Sequence, residues 1–136
     1  MDYFPLFIRT TDRAVLFVGG SEDAGHKLAL IAKSSARLIL FGAVSDSRIT
    51  AMIEAGTVTH HPRPVTLADT AGAAYAYIAA DDHDERDAAI ADFSRAGLPY
   101  CVVDDRLRST FITPALIDRD PGVVAIGTEG TAPVLA

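Results

Sequence analysis

The sequence predicts an α/β, Rossmann-like domain, with a mostly parallel sheet, helices on both faces and extra strands at the C-terminal end. Three observations predict it. Short apolar runs alternate with helical stretches between residues 14 and 103. The glycine pair Gly19-Gly20 stands where the first run meets the first helix. No internal repeat or low-complexity linker interrupts the 136 residues, a length that suits one domain with its own core.

The elements follow in order. Tyr3 to Ile8 reads as a strand or an extended arm. Ala14 to Val18 is wholly apolar and ends at Gly19, as a strand buried on both faces does. Ala24 to Ser35 is a helix with Leu28, Ile31, Ala32 and Ser35 on one face. Arg37 to Phe41, closed by Gly42, completes a βαβ unit. Ser45 or Asp46 caps a helix carrying Ile49, Met52 and Ile53, which ends at Gly56. Thr57 to His60 is a short third strand. His61-Pro62-Arg63-Pro64 is a loop, because two prolines remove two backbone donors. Ala74 to Ala79 is the fourth strand, Asp84 to Ala96 a helix stopped by Gly97 and Pro99, and Tyr100 to Val103 the fifth strand. The last third breaks this rhythm. Thr110 to Thr113 and Val123 to Ile126 read as two added strands, with a turn across Asp118 to Gly122.

Charge and composition exclude several roles. The formal charge is −6, so the chain is a poor general binder of nucleic acid or anionic membrane. No apolar run approaches the roughly 18 residues of a membrane span. The opening Met-Asp-Tyr-Phe-Pro lacks the basic start and long apolar run of a secretory signal, and Cys101 is the single cysteine. The chain therefore reads as cytoplasmic.

Open α/β sheets bind ligands beyond the carboxyl ends of their strands. The turn Gly19-Gly20-Ser21-Glu22-Asp23-Ala24 has the strand-to-helix setting of a dinucleotide fingerprint, where glycines let a pyrophosphate approach backbone amides. Ser21 occupies the second glycine position of that fingerprint, and Glu22 and Asp23 add negative charge. No acidic ribose hook closes the second strand at Phe41-Gly42-Ala43, so a contact there runs through backbone. Asp104 follows the fifth strand, a place suited to proton transfer, with Asp105 as a like-charged neighbour. Arg106, Arg108 and Arg119 are candidate partners for substrate carboxylates or counter-charges to nearby aspartates. The acidic run Asp81 to Asp87 reads as a helix's first turn, and His60-His61 as a loop pair, so no metal site is assigned. Cys101 lies within an apolar strand and reads as an inert thiol.

These stretches, in order and spacing, resemble the N-terminal module of siroheme synthases, the precorrin-2 dehydrogenase and sirohydrochlorin ferrochelatase family. The likeness runs through Met1 to Phe7, Val18-Gly19-Gly20 with Ala24 and Lys27, Ile78 to Asp82, Val102-Val103-Asp104, Phe111 to Ala115, Ile117 to Arg119, and Gly130 to Ala136. The resemblance implies NAD-dependent oxidation of precorrin-2 to sirohydrochlorin, followed in some members by insertion of ferrous iron as a substrate. It implies Asp104 as the catalytic residue. It places NAD against Gly19, Gly20, Ser21, Glu22, Asp23, Ala43, Val44 and Ala80. It places the tetrapyrrole near Arg106, Arg108, Thr113 and Thr128, and it implies a homodimer. Residues 1–113 are then the NAD-binding domain, and 114–136 begin a dimerisation and substrate-cleft region that is cut short at Ala136. Departures from the family pattern stand at Ser21, Asp23 and Glu129, and Tyr100 or Cys101 replaces an asparagine. The alternative reading they support is a non-catalytic module of the same fold that binds NAD or a tetrapyrrole.

Overall fold

The computed structural model describes residues 1–127. Five strands form one parallel sheet: β1 (Ala14–Gly20), β2 (Arg37–Val44), β3 (Val58–His61), β4 (Ala73–Ile78) and β5 (Tyr100–Val102). Their spatial order is β3-β2-β1-β4-β5. The chain winds outward one way from β1 to β3, then returns to the other side of β1 for β4. The strand order reverses between β1 and β4, so the crevice lies at their carboxyl ends.

The helices cover both faces. Helix α1 (Glu22–Ile31) and helix α2 (Ser47–Glu54) pack Ala24, Leu28, Ile31 and Ile49 against Val15, Phe17, Leu40 and Tyr77. Helix α3 (His83–Ala96) covers the opposite face, packing Ala89 and Phe93 against Leu16, Val18, Phe41 and Ile78. Successive β1 residues point to opposite faces, and every one is buried. This is why β1 reads as a continuous apolar run rather than an alternating one. Fully burying a side chain such as Phe17 or Phe93 contributes roughly 1.5–3 kcal/mol.

The structure moves several predicted boundaries. Gly19 and Gly20 belong to β1, because Gly20 pairs with Val44 across a register shift that skips Gly19. β2 correspondingly runs on to Val44. α1 ends at Ile31, four residues short of the periodic pattern; Ser34 turns its hydroxyl back to the Ile31 carbonyl at 2.7 Å, closing the end.

Thr110 to Thr113 is not a strand. The Thr110 amide and hydroxyl both donate to the Tyr100 carbonyl, at 2.8 and 3.0 Å, and Tyr100 N donates back to Thr110 Oγ1. The segment thus covers the edge of β5 through a single residue and cannot continue a ladder. The later strand of this region is instead β6 (Ala115–Arg119), which pairs antiparallel with β7 (Gly122–Ile126) as a separate ribbon. Residues 1–10 carry no strand or helix. Among the described residues no helix is long and apolar enough to cross a membrane.

Candidate active site

The crevice is built where three neighbouring strands end. Gly19 has φ +96°, and a Cβ there would lie 2.5 Å from the Ala79 carbonyl oxygen and 2.9 Å from the Ala80 amide. A Cβ on Gly20 would lie 2.6 Å from the Ala43 carbonyl oxygen. The Gly20 carbonyl accepts the amides of Ser45 and Asp46 at 2.9 and 3.2 Å, and the Val18 carbonyl accepts Ala79 N at 2.8 Å. The exits of β1, β2 and β4 are therefore in backbone contact, which only glycine permits at these positions.

Gly19, Gly20, Ser21, Glu22, Asp23, Ala43, Val44 and Ala80 are brought together by this geometry. Ser21 is the N-cap of α1, and its side chain makes no capping hydrogen bond. The first-turn amides of α1 have no intrahelical acceptor, and they follow directly on the Gly19-Gly20 turn. Glycines without room for a Cβ, leading to an uncapped helix end, fit the pyrophosphate of a dinucleotide. Glu22 and Asp23 are exposed, so their charges lie in solvent. Asp46 leaves β2 with its Oδ2 buried beside Gly25, and that oxygen has no hydrogen-bond partner among the described residues.

Asp104 sits one strand further along. Val103 N donates to the Ile78 carbonyl at 2.9 Å, tying the β5 exit to β4, and Asp105 N turns back to the Val102 carbonyl at 3.0 Å. Between them Asp104 takes φ +62°, a left-handed conformation that aspartate adopts more readily than most residues, and it is exposed. Asp105 does not stand beside it as an unpaired like charge. Its carboxylate pairs with the Arg108 guanidinium and accepts the Arg108 amide at 3.3 Å, which holds it below the usual carboxylate range. Cys101 is buried, and burial pushes its thiol up; the Ser109 hydroxyl and Lys27 partly offset this, and Asp104 adds to it.

The expected substrate-binding residues are not equally placed. Arg108 is committed to Asp105. Arg106 is exposed, two residues after Asp104 in the chain. The Thr113 hydroxyl lies 2.8 Å from the hydroxyl of the buried Tyr77. Arg119 is exposed at the end of β6. Thr128 and Glu129 lie outside the described residues. Among the described residues no three His, Cys, Asp or Glu side chains group in a way that could hold a metal.

Two features escaped the sequence reading. One is Glu85, from the first turn of α3. Its Oε1 would lie 2.9 Å from a Cβ on Gly42, whose φ is +105°. Across β2, His60 Nε2 donates to the Gly42 carbonyl at 2.6 Å. Glu85 also lines a cavity of about 300 Å³ with Val18, Pro64, Val65 and Ala89. Burial pushes its carboxyl up, and Asp82 and Asp81 add to this. Neither its spacing nor its neighbours in sequence mark it out; only the fold sets α3 across from β2. The other is the aromatic group Phe17, Tyr75, Tyr77 and Phe111, whose adjacent rings are 5.3–5.8 Å apart.

Known proteins agree with this geometry. Siroheme synthase from Nitrosomonas europaea is 36% identical over 140 residues, and siroheme synthase 1 from Aeromonas salmonicida 39% over 137. Each alignment covers 100% of this chain and 29% of the relative, so the chain spans under a third of those proteins' length. The resemblance read from the motifs is thereby borne out. Among solved structures, one named "SirC, precorrin-2 dehydrogenase" superposes with a TM-score of 0.80 at 18% identity, covering 98% of this chain and 65% of that one, and so shares the fold. A family model described as "Putative NAD(P)-binding" matches residues 6–115, most of the chain. With that match over the sheet and the glycine turn, the chain belongs to this NAD(P)-binding family.

Proposed function

We propose that the chain carries the NAD-dependent oxidation of precorrin-2 to sirohydrochlorin. The observation that carries this reading is the joining of the β1, β2 and β4 exits at Gly19, Gly20, Ala43 and Ala80, with Asp104 exposed just after β5, the strand next to β4. The siroheme synthase relatives and the shared fold support the choice of substrate.

The uncapped amides at the start of α1 would hold the pyrophosphate, and Ala43, Val44 and Ala80 would contact the cofactor through backbone. The chemistry that bound NAD would supply is acceptance of the hydride lost by the tetrapyrrole. A proton leaves the macrocycle in the same oxidation, and the Asp104 carboxylate receives it. Its left-handed backbone lies beyond the end of β5, and the residue is exposed to solvent. Arg106, exposed two residues further on, serves the substrate's carboxylates. Arg108 acts at one remove, by holding Asp105. Insertion of ferrous iron, as a substrate, belongs to the same reading and depends on the same carboxylate.

The working unit is a homodimer. The β6–β7 ribbon is apolar yet exposed, with Leu116, Ile117, Val123 and Val124 each 42–51% accessible, and Phe4 and Phe7 of the N-terminal arm are 75% and 78% accessible. Such apolar surface suits a partner surface. Residues 114–136 then belong to dimerisation and the substrate cleft. The cytoplasm, where NAD and reduced thiols are kept, is the compartment this reading requires. The test of the activity is absorbance-monitored turnover of precorrin-2 with NAD, followed by ferrous iron addition. Sedimentation velocity tests the dimer, and a monomer at micromolar concentration contradicts it.

A further inference from the structure

We propose that Glu85 reads the amino edge of the cofactor's adenine ring, in the cavity between the β3 exit and α3. The inference rests on the NAD reading above and assigns a specificity-determining residue to it.

The direction of the bound dinucleotide follows from the topology. Its pyrophosphate lies at the Gly19-Gly20 turn, so its two halves extend to opposite sides of β1. Asp104 follows β5, so the reacting half lies toward β4 and β5. The adenosine half must therefore extend toward β2 and β3. On that side Val18 near the end of β1, Pro64 and Val65 in the loop after β3, and the first turns of α3 line the cavity of about 300 Å³, at the lower end of the range for small-molecule pockets. Val18, Pro64, Val65 and Ala89 give it apolar walls suited to a flat aromatic ring.

The polar groups of this cavity are carboxyls. Glu85 and Asp82 line it, and no arginine or lysine does. None of the ion pairs among the described residues involves Glu85. Its Oε1 lies over Gly42, 2.9 Å from where a Cβ would stand, so the carboxyl sits at the cavity wall. His60 donates to the Gly42 carbonyl from the neighbouring strand β3. A half-buried carboxylate without a cation asks for a neutral donor, and the 6-amino group of adenine is one. Its raised pKa is consistent with a carboxyl lacking such a donor in the free protein.

The test compares NAD with nicotinamide hypoxanthine dinucleotide, which carries a carbonyl in place of the 6-amino group. Dissociation constants are measured by calorimetry for the wild type, Glu85→Ala and Glu85→Gln, with circular dichroism as the check on folding. The wild type should bind NAD about tenfold or more tighter than the hypoxanthine analogue, the value of one hydrogen bond to a charged group. Glu85→Ala should bring the ratio near one by weakening NAD alone. Glu85→Gln, whose amide both donates and accepts, should bind both dinucleotides with a ratio between the two. A wild type that binds NAD without this preference, or a Glu85→Ala variant that keeps it, overturns the role of Glu85 and leaves the NAD reading standing. A folded wild type that binds neither dinucleotide overturns the NAD reading, and this inference with it.

Discussion

The Tyr77 hydroxyl and Thr113 Oγ1 lie 2.8 Å apart, joining the carboxyl end of β4 to the segment that leads into the β6–β7 ribbon. Phe111 packs edge-on against Tyr75 and Tyr77 beside this bond. Together they fasten the ribbon to the sheet face that α1 and α2 cover. Burial pushes the Tyr77 phenol well up, so it stays neutral and bonded across the working pH range. Tyr77→Phe removes this bond and leaves the ring packing intact. It should lower stability by about 1 kcal/mol, read as a shift in urea midpoint at constant slope. An unchanged midpoint would mean that the bond does not anchor the segment.

The glycine turn gives a contrast within one chain. At Gly19 a methyl group meets the backbone of Ala79 and Ala80 in an unfavourable φ. At Gly72, with φ +77°, it meets nothing within 4 Å. Gly72→Ala should therefore cost only the left-handed penalty, about 1–2 kcal/mol. Gly19→Ala should cost more than that and also weaken NAD binding at least tenfold, because the β1 and β4 exits must separate. Thermal melts and NAD titration of the two variants check this. Equal effects would remove the argument from close approach.

Acid sensitivity is expected at the loop after β3. The Asp69 carboxylate accepts two hydrogen bonds from Arg63, at 2.8 and 2.9 Å, and also accepts from Thr66, which together lower its pKa well below the usual range. A depressed folded-state pKa adds stability above the unfolded value of about 3.9, and that stability is lost as pH falls through the folded value. The stability difference between wild type and Asp69→Asn should be level above about pH 5 and shrink below pH 4. Glu85 has the opposite sign. Its raised folded-state pKa costs stability above that value and nothing below the unfolded value of about 4.3. Glu85→Gln should therefore gain stability over wild type near neutral pH, and the gain should vanish in acid. Denaturant titrations at several pH values read both.

Much of this was legible in the chain. β1 shows itself because both faces of a central parallel strand are buried, and Gly19-Gly20 because a strand-to-helix turn under close approach admits little else. Asp104 is visible because it directly follows an apolar run. What was not legible depends on tertiary contact. Thr110 to Thr113 has the β-branched and aromatic content of a strand, yet hydrogen bonds to Tyr100 hold it as an edge cover. Asp105 looks like a charge that would perturb Asp104 until Arg108 is seen to pair with it. Glu85 looks like part of an acidic helix start, and its position over Gly42 arises only when α3 crosses the sheet.

The central claim is that Asp104 and the glycine turn act together in the oxidation of precorrin-2. Its most direct test is NAD-dependent formation of sirohydrochlorin by the wild type and by Asp104→Asn, with folding checked by circular dichroism. The account predicts turnover in the wild type and a loss of about a hundredfold or more in the variant, with NAD affinity unchanged. A variant that turns over like the wild type, or a folded, NAD-bound wild type that forms no sirohydrochlorin, would contradict it.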